Sequence, residues 1–408
     1  MPEIHSEQLP NGLHLLAEPI AGAQSLSMTL LLPGGSMYEP SDQFGVAPML
    51  SEIICRGAGG LDARQHSEAL ERLGVHRSTN TETRHLRLSA TMLGDKVDEA
   101  LPLLVDMVRR PRFDEASLEP TRLLALQSLD ALADEPQQRV MLELKRRFYP
   151  EPINRSPLGV REHLQAMTLD QIKSYWQRTF VPSGAILAFA GKLDWSALRD
   201  RVAKLTADWQ GAIDEPIVQA EAKRDYEHMQ ADTSQVHIGM AYDAVPENGE
   251  SSILQRAATS VLSGGMSGRL FTEVREKRGL CYAVMASYSG HRDRGAVLGY
   301  AGTTTPRAQE TLDVMVQEHR RMSEGVDESE FQRAIVGLKS RLVMQGESTG
   351  ARAGAIAFDQ YNLGRPRTLE ELAEQVDGVT LEKVNAFMRE HKPGEMTVVT
   401  LGSQALRF

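Results

Sequence analysis

The residues of this chain best placed to do chemistry lie between Phe271 and Tyr282, in the stretch FTEVREKRGLCY. Phe271 and Arg275 are four apart, the spacing of neighbours on one helix face. Gly279 is a natural helix stop, and Leu280, Cys281, Tyr282, Ala283 and Val284 read as a strand. A helix–turn–strand of this kind can aim a guanidinium and a phenol at one spot. The same residues also have a plainer reading: an Arg within VREKR as a solvated helix face, and a Tyr in an apolar strand as a core residue. Spacing alone leaves both open.

Other groups offer less. The eleven histidines include no two that lie three or four apart, so no helix face carries a His pair. His76 and His85 flank an expected hairpin, and Glu135 and Glu143 read as solvated helix charges. Two cysteines, Cys55 and Cys281, provide neither a disulfide framework nor a Cys-based metal cluster, and both suit small core positions. The glycines of SGGMSG lack the Lys-Ser/Thr ending of a phosphate loop and read as a flexible turn.

The elements that must position Arg275 and Tyr282 fall into two similar halves. At 408 residues the chain exceeds one ordinary hydrophobic core. In the first half, Leu9–Gly12 is a hairpin signal, and Ser25–Leu32 is a strand broken by Pro33-Gly34-Gly35. Phe44–Arg56 and Asp62–Leu73 are helical, Thr83–Met92 alternates as a strand, and 95–109 and 114–147 form long helical patterns. The half ends with Thr168-Leu169, a helix, Pro182, the strand 185–190 and Gly191. The second half repeats this ending as Thr380-Leu381, a helix, Pro393, the strand 396–401 and Gly402, at an offset of about 211 residues. The expectation is an α+β tandem duplication: residues 1–212, a polar linker 213–232, and residues 233–408. Each domain would have an antiparallel sheet covered by helices on one face.

Composition excludes some partners. Hydrophobic content of 41% and charged content of 25% are ordinary for a globular chain. A formal net charge of -10 with both signs interspersed disfavours nucleic acid. No apolar run approaches the roughly 18 residues a membrane span needs, and the N-terminus reads as no secretory signal. A cytoplasmic location is expected.

The chain resembles the pitrilysin and mitochondrial-processing-peptidase family of zinc metallopeptidases. The resemblance rests on LPNGLHLLAEP, GGSMYEP, SGGMSGRLFTEVREKRGLCYAV and the duplicated domain, and it spans essentially the whole sequence. It implies that each half folds as an α+β domain with an antiparallel sheet, facing its counterpart or a partner subunit across a peptide-digesting chamber.

In that family the zinc motif is H-x-x-E-H, with a further Glu roughly 75 to 80 residues on as the last ligand. Against this pattern FGVAPMLSEIICRG puts Pro48 and Glu52 at the histidine positions and Ser51 at the catalytic glutamate. The distal ligand position falls on Ser128, or on Gln127 by a one-residue shift. Ser78-Thr79 stands where relatives carry an Asn-Ala pair on the substrate-holding edge strand. No cofactor is therefore expected in this chain, and alone it should not hydrolyse peptides.

The family's substrate-binding motif, by contrast, is matched residue by residue by Phe271, Arg275 and Tyr282. The resemblance implies that Arg275 holds a peptide carbonyl, that Tyr282 donates to the scissile carbonyl, and that Phe271 gives an apolar wall. The function implied is a non-catalytic, substrate-binding subunit of a heterodimeric zinc peptidase. Its partner would be a homologous HxxEH-bearing subunit that carries the zinc, and its substrate an unfolded peptide. No nucleic acid or membrane is implied, and homodimer formation by the isolated chain is left open. The rival is a peptide-binding or scaffold protein with no role in catalysis.

Overall fold

A computed structural model of the chain describes residues 3–408. In chain order the strands are β1 His5–Gln8, β2 His14–Pro19, β3 Ser25–Pro33, the short ribbon β4 Gly57–Ala58 and β5 Leu61–Asp62, β6 His76–Thr81, β7 His85–Leu93 and β8 Ile186–Gly191. They continue with β9 Glu227–Gln230, β10 Gln235–Ala244, β11 Cys281–Gly290, β12 Gly295–Thr304 and β13 Thr397–Gly402. The main strands build two mixed sheets, ordered β1-β2-β8-β3-β7-β6 and β9-β13-β10-β12-β11. Leaving out β1, the second order repeats the first. Each sheet also holds one parallel pair, β2 with β8 and β13 with β9, among antiparallel neighbours. The fold is therefore an α+β duplication.

The chain divides into two compact units that are not contiguous in sequence. One comprises the chain up to Ala131, Glu151–Ala220 and Gln345–Thr368; the other comprises Leu132–Pro150, Glu221–Met344 and Leu369–Phe408. This departs from a single cut within 213–232, and β9 lies inside that expected linker. The physical reason is that both central strands are buried on both faces, so each sheet needs a second helical layer rather than helices on one face.

In the first unit, Leu26, Met28, Leu30 and Leu32 of β3 enter the main core, while Leu31 turns to the opposite face. The helix Thr349–Leu363 covers that face through Ile356 and Ala357. Arg352 from this helix is fully buried and holds Glu18 on β2, with Nε and Nη2 at 2.8 and 2.7 Å from Oε2. In the second unit, the helix Pro136–Phe148 lies across β10 and β13. It comes so close that a Cβ on Gly239 would stand 2.8 Å from Val140 Cγ1, which explains the glycine in mid-strand.

The long helical pattern 114–147 is thus two helices, Leu118–Ala131 and Pro136–Phe148, broken over residues 132–135 so that the second can serve the other sheet. Among the described residues no helix is long and apolar enough to cross a membrane.

Candidate functional site

The FTEVREKRGLCY stretch is anchored in the second core by three apolar side chains, Leu270, Val274 and Leu280, which are 0–4% exposed. Between these anchors Phe271–Glu276 forms a π-helical turn rather than an α-helix. The Lys277 N–H reaches back five residues to the Thr272 carbonyl at 2.9 Å. Gly279, at φ +58°, then reverses the chain, and the Leu280 N–H closes the wide turn on the Val274 carbonyl at 2.9 Å. Arg307 donates to the Gly279 carbonyl and pins the turn from outside. Turns of this kind recur at functional sites because the extra residue re-aims the side chains around it.

The turn sorts the charges. Glu273 is taken by Lys277 at 2.6 Å and Arg278 at 2.7 Å, which holds its carboxyl below its usual range. Arg275 is exposed and, among the described residues, its guanidinium makes no hydrogen bond or ion pair. Its guanidinium carbon lies 4.8 Å from the Phe271 ring centroid, so the ring props the cation by a cation–π contact. Burial pushes the nearby Cys281 thiol up to about 11, with the Arg275 charge opposing the shift, so this cysteine is an inert core residue at neutral pH.

Tyr282 is placed by a β-bulge. Cys281 pairs with Thr303 and Ala283 with Gly302, which leaves Tyr282 as the extra residue on edge strand β11. Its ring lies over Gly302, where an added Cβ would stand 2.4 Å from both Cζ and Oη. The side chain is 44% exposed, and its hydroxyl donates to Gln235 Oε1 at 2.7 Å. The core-residue reading of this tyrosine therefore fails. Helix-turn and bulge together present an unpaired guanidinium and a held phenol on one edge of the second sheet.

The first-half positions are arranged differently. Pro48, Ser51 and Glu52 lie on the helix Val46–Ile53, which is shorter than the Phe44–Arg56 pattern because Gly45 at φ +106° breaks it at the start. The Ser51 carbonyl accepts from Thr79 Oγ1 at 3.1 Å and from Cys55 Sγ at 3.5 Å. Glu52 is paired with Arg56 at 2.8 Å. Ser128 is exposed on the helix Leu118–Ala131 and donates back to the Leu124 carbonyl at 2.9 Å.

His76 opens β6 and is exposed, whereas His85 opens β7 and is buried edge-on against Tyr361 at 4.3 Å. Glu143 binds Arg146 and Arg147. Among the described residues no three His, Cys, Asp or Glu side chains come together in a way that could hold a metal. A proline, a hydroxyl and one salt-bridged carboxylate do not fit a zinc ion. Beneath them, Glu39 Oε1 caps the helix by accepting from Gly45 N at 3.1 Å and Ala47 N at 2.9 Å. Burial raises its carboxyl to about 8, against the pull of those two N–H groups and Arg155.

Two family models account for most of the chain. "Insulinase (Peptidase family M16)" matches residues 15–159, and "Peptidase M16 inactive domain" matches residues 166–338. The chain belongs to peptidase family M16. An uncharacterized zinc protease of Bacillus subtilis is 24% identical over 387 residues, covering 93% of both chains. One of Mycobacterium tuberculosis is 26% identical over 392 residues, covering 93% of this chain and 89% of its own. Among solved M16 folds, a peptidase M16 inactive domain from Pseudomonas fluorescens superposes with a TM-score of 0.88 at 23% identity, covering 100% of this chain and 99% of that one. A Helicobacter pylori protease superposes with a TM-score of 0.86 at 18% identity, covering 98% and 100%. The chain shares the two-domain fold with both solved structures over their whole length.

Sequence reasoning missed the two supports of Tyr282 in this M16 chain, Gln235 and Gly302. Gln235 and His237 are two apart on β10, and Tyr300 and Gly302 two apart on β12, so each pair shares a strand face. That periodicity was readable, but the register placing His237 opposite Gly302 and Gly239 opposite Tyr300 was not.

Proposed function

We propose that this chain is the non-catalytic, substrate-binding subunit of a heterodimeric zinc-dependent peptidase. The observation that carries the reading is the asymmetry between the halves: every metal position is filled by a residue that cannot serve, while Arg275 stands unpaired beside an exposed, held Tyr282. On this reading a homologous HxxEH-bearing subunit carries the zinc, and an unfolded peptide is the substrate. Arg275 binds a peptide carbonyl with its planar fork. The Tyr282 hydroxyl donates to the scissile carbonyl as negative charge develops on its oxygen, and Phe271 walls the neighbouring side chain. The "inactive domain" description of the second-half family model, and of the Pseudomonas fluorescens structure, supports a non-catalytic member. The assembly would work in the cytoplasm.

Reconstitution with the HxxEH partner tests this. Tyr282→Phe should lower kcat by roughly 10²- to 10³-fold, the usual cost of one oxyanion donor, and Arg275→Ala should chiefly raise KM. Full activity in both variants would refute the proposal. Peptide capture by this chain without any zinc-bearing subunit, together with full activity of those variants, would favour the scaffold reading.

A further inference from the structure

The turn that leads into the Phe271–Tyr282 stretch and the helix Glu328–Gly346 enclose a second polar site within the second unit. An open pocket there is lined by Ser260, Gly264 and Ser267 on one side and by Glu330 and Arg333 on the other. At about 260 Å³ it is smaller than a typical cofactor site and suits one side chain or one chain end. Gly264 lets the turn close over Ser260, since an added Cβ would stand 2.3 Å from the Ser260 carbonyl and 2.6 Å from its hydroxyl. The Thr272 N–H donates to the Gly268 carbonyl at 3.0 Å, so this turn runs directly into the π-helical turn that carries Arg275.

The charges on the helix are unbalanced. Arg333, Gly337 and Arg341 follow one another at steps of four and share one face. Both arginines are exposed, and among the described residues neither has a carboxylate within ion-pairing distance. Each instead donates to a hydroxyl: Arg333 to Ser329, and Arg341 Nη2 to Ser260 Oγ at 3.0 Å. Glu330, the one carboxylate lining the pocket, is already engaged. It accepts from Arg269 Nε and Nη2 at 2.6 and 2.8 Å and from the Asp327 N–H at 3.0 Å. Gly337 leaves the space between the two arginines open, with nothing within 4 Å of where its Cβ would stand. A guanidinium held only by a neutral hydroxyl keeps its charge and most of its donors for an anion.

We propose that this pocket binds a carboxylate of the peptide between Arg333 and Arg341, beside the Ser260 hydroxyl, so that the chain selects peptides bearing an acidic side chain or a free C-terminus. Eight helical residues set the two arginines about 12 Å apart along the axis, and their long side chains converge over Gly337. The proposal rests on the reading of the adjoining Phe271–Tyr282 stretch as a peptide contact, given above.

Anisotropy titrations of fluorescent unfolded peptides against the full chain test the pocket without any partner. Peptides of one sequence would carry Glu at successive positions with an amidated C-terminus, Gln throughout with a free C-terminus, or Gln throughout with an amidated C-terminus. At least one of the first two kinds should bind about three- to ten-fold more tightly than the last, and whichever does so identifies the source of the carboxylate. Arg333→Gln combined with Arg341→Gln should remove the difference at unchanged melting temperature. Gly337→Glu should remove it as well, by placing the chain's own carboxylate between the arginines. Equal affinity for all the peptides, no binding of any, or a preference that survives either variant overturns the pocket. In the reconstituted peptidase the same preference should appear in kcat/KM. A preference abolished by both variants, in an assembly indifferent to Tyr282→Phe, keeps the pocket and refutes the reading of Tyr282. Dependence on Tyr282 without any preference for the acid does the reverse.

Discussion

The two halves of this molecule treat corresponding chemistry in opposite ways. Around the helix Val46–Ile53 the polar groups are satisfied locally: Glu52 by Arg56, Ser128 by the Leu124 carbonyl, and Thr79 by the Ser51 carbonyl. At the π-helical turn and bulge of Phe271–Tyr282, one guanidinium has no ion-pair or hydrogen-bond partner among the described residues, and one phenol is held at the edge of its sheet by Gln235 and Gly302. The Phe271–Tyr282 stretch combines backbone irregularity and exposed polarity with buried anchors at Leu270, Val274 and Leu280.

Five substitutions should break or sharpen this contrast. The largest effect should come from Glu18→Gln, which leaves Arg352 buried without its carboxylate and should cost about 3–5 kcal/mol of stability, read by denaturant unfolding. Peptide binding through Arg275 should survive at temperatures where the variant is folded. Next, Gly302→Ala adds a Cβ where the Tyr282 ring lies; the backbone tolerates it, but the phenol must move. In the reconstituted peptidase kcat should fall about 10²-fold, with little change in melting temperature. An unchanged kcat would show that the ring position is immaterial.

Glu39 gives a smaller, pH-dependent effect on the first half. Its folded-state pKa of about 8 lies above its ordinary 4.5, so the folded chain holds a proton there that the unfolded chain releases. Stability contributed by this group is fully present below pH 4.5 and is lost as pH rises toward 8. Glu39→Gln should flatten unfolding free energy over that window while leaving Tyr282-dependent activity alone. The smallest effects belong to Glu52→Ala and Ser128→Ala, each within about 0.5–1 kcal/mol in stability and at wild-type activity. A large loss of activity in either would return chemistry to the first half.

Much of this was legible in the sequence, and the limits have physical causes. The repeated Thr-Leu, helix, Pro, strand, Gly endings revealed the duplication because capping and turn residues act locally. At residues 48, 51, 52 and 128 the departure from the H-x-x-E-H ligand types was readable because ligand chemistry depends on residue type alone. The reciprocal placement of helices 136–148 and 349–363 was hidden, since an amphipathic pattern says that a face is buried but not against which sheet. The Tyr282 bulge and its contacts with Gln235 and Gly302 were hidden for a related reason. Strand register is set by pairing across the sheet, and one extra residue on β11 redirects a side chain without changing the pattern of types.

The most direct test is to purify this chain and its HxxEH homologue, and to measure zinc content and peptide hydrolysis for each alone and for the mixture. The account predicts no zinc and no hydrolysis for this chain alone, and about one zinc per pair, bound by the partner. It also predicts hydrolysis by the mixture that Tyr282→Phe in this chain cuts by roughly 10²-fold or more. Stoichiometric zinc in this chain alone, lost with activity on chelation, would contradict it, and so would a mixture indifferent to Tyr282.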